Sequence, residues 1–261
     1  MPTSTFSQPA RFVDAENPLP LDKPPTGAAI TSPLDFELFA THDAFLAERP
    51  PGADEDVHML PAVVDHVIER CSEPGDLVFD PFAGFGTTLD RAVALGRKAL
   101  GIELLSERVD YVQKRVPRAR VLQGDARELI TVIRESGWQV PDAGVALIVT
   151  SPPYMTREHQ DADPLTGYRE FDIGYGRYLA QLGTVAAQCA RLLAPGGFAV
   201  WNVADIHHMG CTTHLIADCA HVLEQHLTPA GLTKVRWDRY PHDLIDDALL
   251  VFERTPVPQH G

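Results

Sequence analysis

Two short stretches hold residue types whose spacing suits chemistry. Ser151-Pro152-Pro153-Tyr154 follows the apolar run Val145-Ala146-Leu147-Ile148-Val149-Thr150. That run has no polar alternation, as in a strand buried on both faces. Two successive prolines cannot continue a central strand, so they hold the chain in a rigid extended loop. The loop offers a hydroxyl, a carbonyl with no competing N–H, and an aromatic face. The other stretch is Val78-Phe79-Asp80-Pro81-Phe82-Ala83-Gly84-Phe85-Gly86-Thr87-Thr88. It reads as a strand, a glycine turn and a helix start, with Thr87 and Thr88 as hydroxyls suited to free N–H groups. Such a turn points backbone donors and a positive dipole end at a small molecule. A Gly-x-Gly turn alone also fits a purely structural bend.

Taken together, the two stretches resemble the amino-methyltransferases that act on exocyclic amines of DNA bases. Asp80 to Thr88 is similar to their S-adenosylmethionine motif, and Thr150-Ser151-Pro152-Pro153-Tyr154 to their catalytic motif. The resemblance covers residues 57 to 254. It implies that S-adenosylmethionine is held by Asp80, Phe82, Ala83, Gly84, Gly86, Thr87, Glu103 and Asp125, and that Ser151, Pro152, Pro153 and Tyr154 carry catalysis. Ser151 Oγ and the Pro152 carbonyl would accept the amine's N–H groups, and Tyr154 would face the substrate ring. Phe85 departs from the family, which more often has Ser there. That exchange removes a polar contact and adds a ring beside the cofactor.

The elements that must position these residues alternate. Strands are expected at Leu77–Asp80, Ala99–Ile102, Arg120–Gln123, Val145–Thr150, Phe198–Val203, Thr233–Trp237 and Leu249–Phe252. Helices are expected between them, at Thr87–Leu95, Ser106–Val116, from Arg127, Arg177–Leu193 and Thr213–His226. This is the mark of an α/β protein with a doubly wound, mostly parallel sheet. With the resemblance, it predicts a seven-stranded, Rossmann-like class I methyltransferase fold. Earlier in the chain, the periodicity predicts a helix over Leu34–Glu48 and another from Pro61 to about Cys71. The His58-Met59-Leu60-Pro61 entry to the latter resembles a family segment that helps wall the cofactor pocket. One domain is expected over 32–254, between a Pro-rich tail at 1–31 and another at 255–261.

Glu103 ends a strand a little over 20 residues past the first, where nucleotide-binding sheets place a carboxylate for ribose hydroxyls. A surface Glu is the other reading. Asp125 suits either an N-cap or, by the resemblance, the cofactor's adenine amine. Residues 155–176 carry five acids against two bases. They read as a substrate lid with Tyr168, Phe171 and Tyr175 either stacking on substrate or anchoring the loop. Asp54-Glu55-Asp56, and Asp205 with His207, His208, Cys211 and His214, raise metal binding. No Cys-x-x-Cys spacing supports it, so no metal is expected.

The 261-residue chain carries a formal net charge of −14, which argues against a general nucleic-acid clamp. Residues 91–134 reverse the sign, with ten Lys and Arg against five Asp and Glu. They read as solvated helix faces or as a phosphate-contacting edge. Four scattered cysteines and the lack of a long apolar run fit a cytoplasmic chain outside the membrane. DNA is the substrate the resemblance implies; the family usually carries a target-recognition region, residues 89–149 leave no insert large enough for one, and a partner protein is the candidate to supply it. An RNA base or a small molecule is the alternative, and a non-catalytic cofactor-binding module the third. Ser151-Pro152-Pro153-Tyr154 weighs against that last reading.

Overall fold

The computed structural model describes residues 32–50, 58–158, 162–171 and 173–254. The tails at 1–31 and 255–261 and the acids Asp54-Glu55-Asp56 lie outside the described residues. The strands are β1 (Glu37–Ala40), β2 (Leu77–Asp80), β3 (Lys98–Glu103), β4 (Arg120–Gln123), β5 (Val145–Thr150), β6 (Leu193–His208), β7 (Cys211–Thr213), β8 (Thr228–Trp237) and β9 (Leu244–Glu253). They form one nine-stranded sheet, ordered β1-β8-β9-β6-β5-β2-β3-β4, with β7 paired to β6. The α/β, mostly parallel architecture is as expected. Two strands exceed the expected seven: β1 at the edge, and β7, which folds back on β6.

The helices are α1 (His42–Ala47), α2 (Pro61–Cys71), α3 (Thr87–Ala94), α4 (Ser106–Arg115), α5 (Leu129–Glu135), α6 (Tyr175–Leu192) and α7 (Leu215–Leu223). The helix expected over Leu34–Glu48 is instead strand β1, a turn and the short α1. Pairing Glu37–Ala40 in parallel with Lys234–Trp237 satisfies this backbone and overrides the local 3.6-residue pattern. Phe36 and Phe39 consequently stand exposed, at 74% and 81%. Thr41 starts α1, its hydroxyl accepting the Ala44 N–H at 3.2 Å.

Adjacent β2 residues serve opposite faces of the sheet. Val78 packs among the α2 residues Val63, Val64, Val67 and Ile68. Phe79 packs among Tyr178, Leu182, Val185 and Cys189 of α6. From β2 the chain winds outward through β3 to β4, then returns to β5 on the other side of β2. The carboxyl ends of β2 and β5 therefore flank the topological switch point, where open α/β sheets hold ligands. β9 runs antiparallel between β6 and β8. Its first residues thus lie at that same rim of the sheet.

Candidate active site

A hydrogen bond joins the two strand ends. The Thr150 hydroxyl donates to Asp80 Oδ1 at 2.6 Å, and the Phe82 N–H donates to the same oxygen at 3.0 Å. Burial, partly offset by the Thr150 bond, pushes the Asp80 carboxyl up to about 6. This tie brings the glycine turn and the Ser151–Tyr154 loop onto one cavity of about 620 Å³.

At one end of the cavity stand Asp80, Phe82, Ala83, Gly84, Phe85, Thr87, Thr88, Glu103 and Arg108. Gly84 has φ of 50°, a conformation glycine adopts without strain. Its N–H donates to Glu103 Oε2 at 2.8 Å, while Leu105 N–H donates to Oε1 at 2.8 Å. Glu103 is buried, which removes the surface reading, and burial raises its pKa. Each oxygen keeps a lone pair for a further donor.

Three positions on this side take particular neighbours. Gly86, at φ of 81°, faces away from the cavity: a Cβ there would come within 2.9 Å of Val112. It is the residue that caps α3, so the hydroxyls of Thr87 and Thr88 supply no cap. Its glycine is required by the turn and by the close approach of α4. Asp125 caps the 3₁₀ turn before α5 through the Arg127 N–H at 2.8 Å, and it chelates the Arg127 guanidinium at 2.6 and 3.0 Å. Its neighbours Gly124 and Ala126, rather than Asp125 itself, line the cavity. The Phe85 ring lies edge-on to Tyr111 at 5.6 Å, with Arg108 over it at 4.8 Å.

The Ser151–Tyr154 loop is braced at both ends. Ser151 Oγ and the Tyr154 hydroxyl are 3.2 Å apart, and Tyr154 donates to the Asn202 carbonyl at 3.2 Å. Burial drives the Tyr154 pKa upward, so the phenol stays neutral. The Pro153 carbonyl accepts the Tyr178 hydroxyl at 3.0 Å, which leaves the Pro152 carbonyl as the loop's uncommitted proline acceptor among the described residues. Of the three aromatic candidates beyond, Tyr168 lines the cavity. Phe171 is exposed at 67%, and Tyr175 anchors the core by stacking on Tyr178 and donating to Asp218 at 2.8 Å.

The opposite end of the cavity draws on residues that no motif announced: Phe45, Asn202, Trp237, Pro241, His242, Asp243 and Asp247. His58, from the segment expected to wall the cofactor pocket, also lines the cavity but stacks on Phe45 at 4.5 Å; Trp237 meets Phe45 edge-on at 5.7 Å. Asp247 is 4% exposed. It accepts the Asn202 amide at 2.6 Å and the Trp237 indole N–H at 2.8 Å. Burial pushes its carboxyl up to about 6, against the pull of those two donors. A paired acid inside an apolar strand, Asp246-Asp247 before Ala248-Leu249-Leu250-Val251, was the available sequence signal.

The basic stretch is largely internal bracing. Arg91 chelates Asp65 at 2.6 and 2.9 Å, Arg115 reaches Asp90 and the Phe85 carbonyl, and buried Arg97 holds the Ser72 carbonyl at 2.6 Å. Lys114, Arg118 and Arg120 remain exposed. The His and Cys residues at and after the end of β6 pair off: His214 with Asp205 at 3.1 Å, His208 with Asp243 at 2.6 Å, and Cys211 with Glu158 at 3.1 Å. Among the described residues no group of three metal-type ligands forms. No helix among them is long and apolar enough to cross a membrane.

A family model described as DNA methylase matches residues 60–114, the stretch from α2 through the glycine turn to α4. The DNA adenine methyltransferase YhdJ of Escherichia coli K12 is 46% identical over 55 residues, 21% of this chain and 19% of that protein. The type II methyltransferase M.EcaI of Enterobacter cloacae is 36% identical over 86 residues, 33% of this chain and 18% of that protein. Over this segment the chain is similar to DNA methylases. The alignments span about a fifth of the length of these curated relatives. Among solved structures, the N-methyltransferase NodS from Bradyrhizobium japonicum WM9 superposes with a TM-score of 0.51 at 13% identity. The match covers 82% of this chain and 99% of that one. At that identity the likeness speaks of the fold, which is Rossmann-like.

Proposed function

We propose that the chain is an S-adenosylmethionine-dependent N-methyltransferase acting on an exocyclic amine of a DNA base, cytosine N4 or adenine N6. The observation that carries this reading is the single cavity shared by the Gly84 turn and the Ser151–Tyr154 loop, closed by the Asp80–Thr150 bond. The donor end fits the cofactor. Glu103 is a buried carboxyl with lone pairs left for two hydroxyl donors, and Asp80 and the Phe82–Gly84 turn flank it. When bound, S-adenosylmethionine supplies an electrophilic methyl on a sulfonium. Asp80, Phe82, Ala83, Gly84, Thr87 and Glu103 would hold it, with Gly86 shaping the turn and Asp125 bracing the Gly124–Ala126 wall.

The acceptor amine is a poor nucleophile because its lone pair is delocalised into the ring. Ser151 Oγ and the Pro152 carbonyl accept its N–H bonds and let the nitrogen pyramidalise. Tyr154 fixes the ring plane, held in place by Asn202 and Ser151. Pro153, gripped by Tyr178, keeps the loop rigid. Placement is then the main contribution of the protein.

A second acceptor class, an RNA base or a small heteroaromatic amine, draws support from one feature. Among the described lining residues Arg108 is the sole Lys or Arg, and it covers Phe85. A DNA acceptor on this surface would call for phosphate contacts from a partner protein. The test is transfer of tritiated methyl from S-adenosylmethionine to duplex DNA, total RNA and a metabolite extract in parallel. Label in DNA is expected; label in RNA or metabolites alone overturns the DNA assignment in favour of the second class.

A further inference from the structure

We propose that Asp247 takes up the proton that the acceptor amine must release on methylation. The inference deepens the functional reading above and rests on it. Its basis is the chemical balance of the transfer. A nitrogen–carbon bond forms, the sulfur–carbon bond breaks with its electron pair returning to sulfur, and the nitrogen then carries one proton too many. Ser151 Oγ and the Pro152 carbonyl accept hydrogen bonds, yet neither a hydroxyl nor an amide carbonyl holds a proton near neutral pH. A carboxylate is the group suited to the task.

Four carboxyls line the cavity: Asp80, Glu103, Asp243 and Asp247. Both Glu103 oxygens bind backbone N–H groups at the turn, and Asp80 ties β2 to β5. Asp243 pairs with His208 on the exposed rim. Asp247 stands at the acceptor end, beside Trp237 and Asn202. The Asn202 side-chain amide donates to it, and the Asn202 backbone carbonyl accepts the Tyr154 hydroxyl. The carboxyl is therefore one residue removed from the ring on which the acceptor would lie, and the proton would reach it through a solvent molecule in the cavity that Ser151, Pro152 and Asp247 all line. Its two side-chain donors are neutral and fix its orientation, the Ala248 N–H also faces it, and lone pairs remain for a further proton.

No Lys, Arg or His forms an ion pair with Asp247 among the described residues. A buried carboxylate without a counter-ion is costly, and such groups cluster at functional sites. Burial places the carboxyl at about 6, where it can accept a proton and return it to solvent. The groups facing it are Asp246 on its own strand, Tyr154 from the loop after β5, and Tyr240 from the β8–β9 loop. Cys219 of α7 faces Tyr154, Asp205 of β6 lies opposite Asp246, and Arg236 of β8 pairs with Glu37. His58, His242, Asp243, Asp80 and Glu103 complete the cavity.

The test is single-turnover methyl transfer by the full chain from pH 5 to pH 9, on whichever acceptor the labelling assay identifies. The wild-type rate is expected to fall on the acid side with a midpoint near 6. Asp247→Asn should lower the rate by about 10²-fold or more and abolish that acid limb, with cofactor affinity by calorimetry unchanged. Trp237→Phe removes a donor to the ionised carboxyl and should move the limb to higher pH. A rate for Asp247→Asn within about threefold of wild type, limb intact, overturns the assignment. If Asp247→Asn does not fold, an unmoved limb in Trp237→Phe overturns it instead. A wild-type chain that binds cofactor and labels no acceptor overturns the functional reading itself, and the proton assignment with it.

Discussion

The two ends of the cavity are built in opposite ways. The donor end comes from one continuous passage, strand β2, its glycine turn and helix α3, completed by Glu103 at the end of the next strand. The acceptor end collects Phe45, His58, Tyr154, Asn202, Trp237 and Asp247 from six different elements and loops. The donor end is held by backbone hydrogen bonds, as where Gly84 and Leu105 grip Glu103. The acceptor end is held by side chains, as in the Trp237–Asp247–Asn202 chain. A continuous turn suits an invariant ligand; a wall of side chains from distant segments suits one that can differ.

The sharpest way to break this comparison is Tyr154→Ala. It should cut turnover by about 10²-fold or more while leaving cofactor affinity intact, measured by methyl transfer and calorimetry. Equal losses of affinity and turnover would mean the two ends are one site. Next comes a stability signature. Asp247 has a folded pKa of about 6, above its ordinary 3.8, so the folded chain holds its proton more tightly. That contribution is complete below pH 4 and is lost as pH rises through 6. Between pH 4 and pH 7, wild type should lose roughly 2 kcal/mol more than Asp247→Asn in urea unfolding. At the donor end, Glu103→Gln should weaken cofactor binding by about tenfold and leave the pH dependence of the bound enzyme's rate unchanged. The smallest effect is expected from Lys114→Glu with Arg118→Glu. Acceptor KM should stay within about twofold if these exposed charges lie off the acceptor's path; a large rise would extend the acceptor end onto α4.

The same contrast explains what was legible in the sequence. The buried parallel strands announced themselves through apolar runs such as Val145–Thr150, and the turn through Gly84 and Gly86. Strand β1 did not, because its extended form depends on Lys234–Trp237, some 200 residues away. A helical pattern of Phe36, Phe39 and Ala40 was a local reading of a long-range fact. Asp247 was obscured similarly: one acid in a strand shows nothing of the indole and amide that reach it from β8 and β6. Gly86 was read from the right stretch, but its reason lies in Val112 across the helix pair.

The reversed direction of β9 has an evolutionary corollary. Because that strand starts at the rim instead of ending there, the 238–243 connection can grow, shrink or change composition beside the acceptor alone. Substrate choice on this scaffold can thus drift through a single hairpin, with the donor machinery left under separate selection.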